Sequence, residues 1–246
     1  MELIKGGVCA AKGFRANGIH CGIRKNRTKR DLALIVSDVP ASAAAVYTTN
    51  LVKGAPLTVT KSNIANGVAQ AVICNSGNAN TCNANGLEIA EQMCALVAEK
   101  TGVSAKDVVV ASTGVIGQTL DISPIAGGMD SLTAGLSYEG SVNAAEAIMT
   151  TDTVLKEVAV EFTVGGKACR MGGIAKGSGM IHPNMATMLV FITTDAAISP
   201  AMLQKALSGD IANTFNMLSI DGDTSTNDMV SVLANGLAGN AVIETE

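Results

Sequence analysis

Gly172-Gly-Ile-Ala-Lys-Gly-Ser-Gly-Met-Ile-His-Pro-Asn-Met-Ala-Thr-Met-Leu-Val-Phe-Ile-Thr-Thr-Asp195 is the most informative stretch of the chain. Its second half, Met188 to Thr194, is apolar and β-branched and reads as a strong strand. Its first half is rich in glycine and reads as a permissive loop, with one torsion set by Pro183. Between them lies a small-residue junction, Ala186-Thr187. A peptide bond held in strain there would sit beside a hydroxyl. Attack of the Thr187 hydroxyl on the preceding carbonyl gives an ester, and water then releases a free threonine amine. Such an amine has a reference pKa of about 7.7–8.0. It can serve as the general base for its own hydroxyl. Taken alone, Thr187 is better read as a residue that opens a strand, since Thr is common there.

The usual motifs fail on this stretch. A phosphate-binding P-loop places Lys after its second glycine, whereas Lys176 precedes Gly177. A nucleophile elbow needs G-x-S-x-G, and Ser178 is flanked directly by Gly177 and Gly179. A Ser-His-Asp triad would have to recruit His20 or His182, and neither has an obvious partner.

Outward from this run, strands and helices follow one another. Leu32 to Val36, Ala43 to Thr48, Val68 to Cys74 and Asp107 to Ala111 read as strands. Val158 to Val164 and Ala168 to Met171 read as a hairpin about Gly165-Gly166. Helices are expected at Leu87 to Lys100, with Gly102 as its stop, at Ser141 to Met149, and at Pro200 to Asn216. Asn75 to Asn80, Ser112 to Gly117 and Ile220 to Asp228 read as loops or turns. The pattern predicts an α/β or α+β layered domain.

Composition narrows the function classes. Of 246 residues, 48% are hydrophobic but only 2% aromatic, and Trp is absent, so small aliphatic residues must pack the core. The net charge of -4 gives no electrostatic reason to bind nucleic acid or an anionic membrane. No apolar run reaches the roughly 20 residues that span a bilayer, and no secretory signal is visible. The six cysteines form no C-x-x-C pair and only two His exist, so no metal site is expected. Asp221-Gly-Asp-Thr-Ser225 opens like a calcium loop, but Thr226 and Val232 occupy the positions that need Gly and Glu. Free thiols and a reducing cytoplasm are the default expectation. The basic cluster Arg24, Lys25, Arg27, Lys29 and Arg30 is either an anion patch or a solvated hairpin tip. The tip is favoured because no aromatic residue is interleaved.

The run Lys176-Gly-Ser-Gly-Met-Ile-His-Pro-Asn-Met-Ala-Thr-Met-Leu189 closely resembles the self-cleavage segment of the glutamate/ornithine acetyltransferases of arginine biosynthesis. Ordered matches continue along the chain: Lys12-Gly-Phe-Arg15, Ala33-Leu-Ile-Val-Ser-Asp38, Thr48-Thr-Asn50, Asn75-Ser-Gly-Asn-Ala-Asn80, Ser112-Thr-Gly-Val-Ile-Gly117, Met149-Thr-Thr-Asp-Thr153 and Ser225-Thr-Asn-Asp228. The resemblance implies a layered α/β (α+β sandwich) fold related to that of self-processing aminopeptidases. It implies cleavage between Ala186 and Thr187, giving an α chain of residues 1–186 and a β chain that opens with residues 187–246. Acetyl would pass from N-acetylornithine to glutamate through Thr187, with acetyl-CoA a further donor in some members. No cofactor is implied. The assembly implied is two α and two β chains, in the cytoplasm.

By the same resemblance Thr113 and Gly114 form an oxyanion hole, and Thr150, Lys176 and Thr187 bind substrate. Each residue also has a plainer reading. Thr113-Gly114 is a strand-ending turn, Lys176 a surface lysine on a glycine loop, and Thr150 one of several neighbouring threonines. Asn75 to Asn80 is given no catalytic role. Compared with the family the chain is expected to be a fragment, because nothing in it matches a further substrate-binding glutamate and C-terminal polar residues. Ala241 to Glu246 reads as a strand that lacks a partner. Two other functions remain open: a self-processing aminopeptidase or amidase, in which water takes the acyl group, and a non-catalytic fragment.

Overall fold

Nine strands and five α-helices follow one another, with short 3₁₀ turns between some of them, in the computed structural model, which describes residues 1–180 and 188–245. The strands are β1 (Glu2–Ile4), β2 (Phe14–Ile19), β3 (Leu32–Tyr47), β4 (Val68–Asn78), β5 (Val108–Val115), β6 (Lys156–Val164), β7 (Lys167–Lys176), β8 (Leu189–Thr194) and β9 (Met229–Ala234). The helices are α1 (Ala55–Asn63), α2 (Gly86–Thr101), α3 (Ser123–Ala134), α4 (Ser141–Ile148) and α5 (Pro200–Asp210). The strands join in the order β1-β6-β7-β8-β9-β3-β4-β5, with β2 paired to β3. Most neighbours are antiparallel; β4–β5 and β8–β9 are parallel. The layered α/β class expected from the sequence is the observed one.

The spine is β3. The sequence splits it into two strands, yet it runs unbroken for 16 residues. Its ladder to β4 shifts register between Val36 and Ala41. Pro40 lies inside that shift, where a missing N–H costs no ladder bond. The first half of β3 pairs with β2 and β4, and the second with β9. Three apolar clusters result. One packs Leu32, Leu34, Ile73 and Val110 under α2 and α3, through Ile89, Met93, Val97 and Met129. A second lies around α4, whose Ala144, Ala147 and Ile148 meet Ile35, Ile174 and Phe191. The third packs Leu203 and Leu207 of α5 on Val190 and Val230.

Helix limits follow local chemistry. α2 buries Ile89, Ala90, Met93, Cys94 and Val97 at helical spacing and stops at Gly102 in the left-handed region. α5 starts with Pro200 behind Ser199, whose hydroxyl accepts from the Met202 N–H. It ends at Asp210, six residues before the expected end at Asn216. There the Thr214 hydroxyl donates to the Asp210 carbonyl at 2.8 Å, and short 3₁₀ turns take over.

Several expected loops are strands. β4 and β5 continue through Asn75–Asn78 and Ser112–Val115 because each completes the other's parallel ladder, to Gly77 beside Gly114. β7 continues through Gly172 and Gly173 to Lys176. A Cβ on Gly172 would lie 1.7 Å from the Gly7 carbonyl oxygen, so this glycine permits a crossing of the N-terminal segment over the strand. Residues 241–245 are not a strand. Ile243 is nevertheless paired: its N–H donates to the Ala197 carbonyl and its carbonyl accepts from Ser199, each at 3.0 Å.

Candidate active site

The sheet register collects polar residues at one end. Lys176 of β7 lies opposite Leu189 of β8, which lies beside Met229 of β9. The Met229 N–H donates to the Met188 carbonyl at 3.1 Å. Nearby, the ends of β4 and β5 bring Gly77 beside Gly114. These strand ends, with residues Thr150–Thr151 and Ser225–Asp228, enclose a cavity of about 490 Å³.

Lys176, Thr113, Gly114 and Thr150 all line this cavity. The Lys176 ammonium donates to the Thr113 hydroxyl oxygen at 3.0 Å. Lys176 is thus the last residue of a strand, half-buried and facing Thr113; the surface-loop reading does not hold. Burial holds its ammonium below the usual lysine range, against the pull of Asp152 and Asp228. Thr113 and Gly114 close strand β5 and do not form the turn the sequence suggests. Gly114 has φ +134, and a Cβ there would meet the Gly77 carbonyl carbon at 2.4 Å, so only glycine lets the two parallel strands approach. Ala186 and Thr187, the expected cleavage pair and nucleophile, lie outside the described residues. On their N-terminal side, the Thr151 and Ser178 hydroxyls are 2.6 Å apart and the Met180 N–H donates to Asp221 at 2.6 Å.

Four further residues shape the site. Asp152 accepts from the Lys156 ammonium at 2.7 Å, the Gly177 N–H at 2.8 Å and the Thr150 N–H at 3.1 Å. Burial pushes its carboxyl up, but those three donors outweigh it and hold it below the usual range. Asp152 therefore positions Thr150 and the exit of β7. Asn227 donates to the Ala79 carbonyl at 2.6 Å and the Ser112 carbonyl at 3.0 Å. It also accepts from Thr81 and Thr226. Its amide ties β5 to the loop after β4. Asp228 is buried, and burial pushes its carboxyl up to about 7, with Ser225 and Lys176 pulling the other way. Arg24, on the β2–β3 connection, lines the cavity and donates to the Met149 carbonyl oxygen.

The basic cluster divides accordingly. Lys25, Arg27 and Lys29 are exposed on a hairpin tip, as favoured from the sequence. The loop is fastened by Asp31, which accepts from the N–H groups of Cys21, Gly22 and Arg24. Arg24 alone of these residues reaches the cavity wall. Asp152 and Asp228 sat within quoted motifs, Thr-Thr-Asp-Thr and Ser-Thr-Asn-Asp, but nothing in one dimension tells a buried carboxyl from a loop carboxyl.

Known proteins match closely. The pattern of the ArgJ family fits residues 15–246. An arginine biosynthesis bifunctional protein ArgJ from Symbiobacterium thermophilum is 52% identical over 242 residues, 98% of this chain and 60% of that protein. The chain belongs to the ArgJ family. It spans about three fifths of the length of the curated ArgJ relatives it matches. Among solved structures, ornithine acetyltransferase of Mycobacterium tuberculosis complexed with ornithine is 36% identical, with a TM-score of 0.68 over 75% of this chain and 99% of that one. The L-aminopeptidase D-Ala-esterase/amidase of Ochrobactrum anthropi, a variant of the Ntn hydrolase fold, matches at a TM-score of 0.56 and 13% identity over 94% of this chain. That likeness shows the fold alone. No described helix is long and apolar enough to cross a membrane.

Proposed function

We propose that this ArgJ-family chain holds the nucleophile and oxyanion wall of an enzyme that transfers acetyl from N-acetylornithine to glutamate in arginine biosynthesis. The observation that carries the reading is the cavity where Lys176 donates to Thr113 at 3.0 Å, beside Gly114 and Thr150. Because the Thr113 oxygen accepts from Lys176, its O–H is left to donate elsewhere. That hydroxyl and the Gly114 backbone would stabilise the negative oxygen of a tetrahedral intermediate. Thr187 is one peptide bond from Met188, whose carbonyl is bonded to β9 next to Asp228. The nucleophile of this reading is the Thr187 hydroxyl, with its freed amine as base. Thr150 and Lys176 would bind substrate, the ammonium facing a carboxylate.

The reading includes cleavage at Ala186-Thr187, leaving an α chain of residues 1–186. The ornithine-bound relative aligns over nearly its whole chain with only three quarters of this one. The reading includes an assembly of two α and two β chains, no cofactor, and a cytoplasm where six free thiols stay reduced. Acetyl-CoA as a second donor fits relatives that are called bifunctional.

The test is the full-length gene product incubated with N-acetylornithine and glutamate, and separately with acetyl-CoA and glutamate. N-acetylglutamate should form, denaturing mass spectrometry should find a chain beginning at Thr187, and that chain should gain one acetyl group. Thr187→Ala should give one uncut chain and no transfer. Release of free acetate without N-acetylglutamate would favour the amidase reading, and acetyl on a Lys or Cys would overturn the mechanism.

A further inference from the structure

Asp228 has no role in the mechanism so far. It precedes β9, lines the cavity and is 3% exposed. Its Oδ2 is fully buried and has no hydrogen-bond partner among the described residues. A buried carboxylate oxygen without a donor is costly, because its desolvation is not repaid. The neighbouring Asn227 shows that the segment can satisfy its polar atoms, since both ends of that amide are bonded. Among the described residues Asn75, Asn85, Ser112 and Ser231 also bury a side-chain oxygen without a partner, but Asp228 is the one carboxyl in that group.

Acetyl exchange between two amines poses a proton problem that a threonine with its own amine does not solve. An amino acid arrives at neutral pH as an ammonium ion, which has no lone pair to attack an ester. It must lose one proton first. In the reverse sense, the deacetylated amine must leave with one proton more than the threonine hydroxyl supplies.

Building on the proposed acetyl transfer, we propose that Asp228 is a catalytic residue that takes the proton from the incoming ammonium and returns it to the departing amine. The steps balance. In the first half-reaction the Thr187 oxygen bonds to the acetyl carbon and the C–N bond of the donor breaks. The departing nitrogen receives the hydroxyl proton of Thr187 and the proton of Asp228, leaving as an ammonium ion. In the second, the Asp228 carboxylate takes one proton from the acceptor ammonium. The neutral amine attacks the ester carbon, the C–Oγ bond breaks, and the second proton of the nitrogen passes to the threonine oxygen. The net reaction exchanges acetyl between two amines and restores Asp228 to its protonated form.

The surroundings suit this role. Burial raises the Asp228 carboxyl to about 7, near the pH at which a general acid and base works best. The groups acting on it are Ser225, which donates to its carboxyl from hydroxyl and backbone, and Lys176 from β7; the Asp152 carboxylate and the Cys74 thiol of β4 act on Lys176. Burial pushes Cys74 up to about 12, so it stays neutral. Asp152 is committed to its three donors. Arg24 adds a cation to the wall. Lys176 is engaged with Thr113. Asp228 is left as the carboxyl of this wall with an oxygen that no described donor satisfies.

The test separates proton transfer from acyl transfer. p-Nitrophenyl acetate acetylates the enzyme without needing a proton for its leaving group. Hydroxylamine is a neutral acceptor at pH 7 and needs no base. With p-nitrophenyl acetate as donor, Asp228→Asn in the full-length gene product should transfer to hydroxylamine within about twofold of wild type. Transfer to glutamate should fall by about 10²-fold or more. Asp228→Glu, which keeps a carboxyl, should recover part of the glutamate rate. Equal losses with both acceptors, or no loss with either, would overturn the proposal. If the Asn variant does not fold, wild type alone decides. Its glutamate-to-hydroxylamine rate ratio, in which the Thr187 amine cancels, should level off above about pH 7, where Asp228 is ionised; a ratio that keeps rising about tenfold per pH unit through about pH 9, as attack by free glutamate amine alone requires, would overturn the proposal. A wild type that forms no acetyl-Thr187 refutes the transferase reading itself, which is a separate outcome.

Discussion

Asp152 and Asp228 are both buried, both act on Lys176, and are opposite in construction. Asp152 is saturated by Lys156, Gly177 and Thr150 and stays ionised below the usual carboxylate range. Asp228 has an oxygen without a donor among the described residues, and its carboxyl is raised to about 7. The same side chain becomes a structural brace in one place and a titrating group in the other. The difference lies in the number of donors, since burial acts in the same direction on both.

The comparison should break most visibly at Asp152. Asp152→Ala removes three charge-assisted hydrogen bonds and leaves the buried Gly177 N–H without its acceptor. The cost should be about 3 kcal/mol, which for a chain of this size lowers Tm by about 6–12 °C. Calorimetry checks this, and a loss below about 1 kcal/mol would show that the three bonds do not brace the site.

Asp228→Asn should behave in the opposite way. A carboxyl whose folded pKa is raised destabilises the fold as it is forced to ionise. Its penalty is absent below the unfolded value of about 3.9 and grows as pH rises toward the folded value of about 7. The Asn variant, which never ionises, should match wild type near pH 4 and exceed it by several degrees in Tm at pH 8. For Asp152 the sign reverses: its contribution is present above about pH 3.9 and is lost as pH falls further. Thermal melts of wild type and both variants across pH 3–8 should show the two curves diverging in opposite directions.

The smallest effect should come from Lys156→Met. The Lys156 side chain is 41% exposed, so its ion pair with Asp152 is screened by water. Loss of about 0.5–1 kcal/mol is expected in denaturant titrations, because Gly177 and Thr150 still hold the carboxylate. A loss as large as that of Asp152→Ala would make the lysine, and not the backbone donors, the main support.

Much of the fold was legible because apolar spacing is a local property. The stripe Ile89, Met93, Val97 marks α2, and the run at Met188–Thr194 marks β8. The errors fall where pairing overrides local preference. Ser112–Val115 and Gly172–Lys176 look like loops, yet a neighbouring strand supplies their hydrogen bonds. The candidate site was legible in part. Lys176, Thr113, Gly114 and Thr150 were singled out by motif, and they meet in one cavity. Arg24 was hidden in a hairpin tip of otherwise exposed cations, and Asp152 and Asp228 in motifs whose acids carried no assigned role.

What the sequence by itself determined is the family, the layered class, and the residues that can do chemistry, because these depend on identity and order along the chain. Which of two aspartates is ionised, which lysine faces a threonine hydroxyl, and which arginine enters the wall were decided only by tertiary structure. Those properties depend on the donors that surround a buried group. The partners come from residues far away in sequence: the Gly177 donor lies 25 positions from Asp152, and the Thr113 acceptor lies 63 from Lys176. A carboxyl's proton affinity is set by its desolvation and its partners together, and neither exists until the strands have paired.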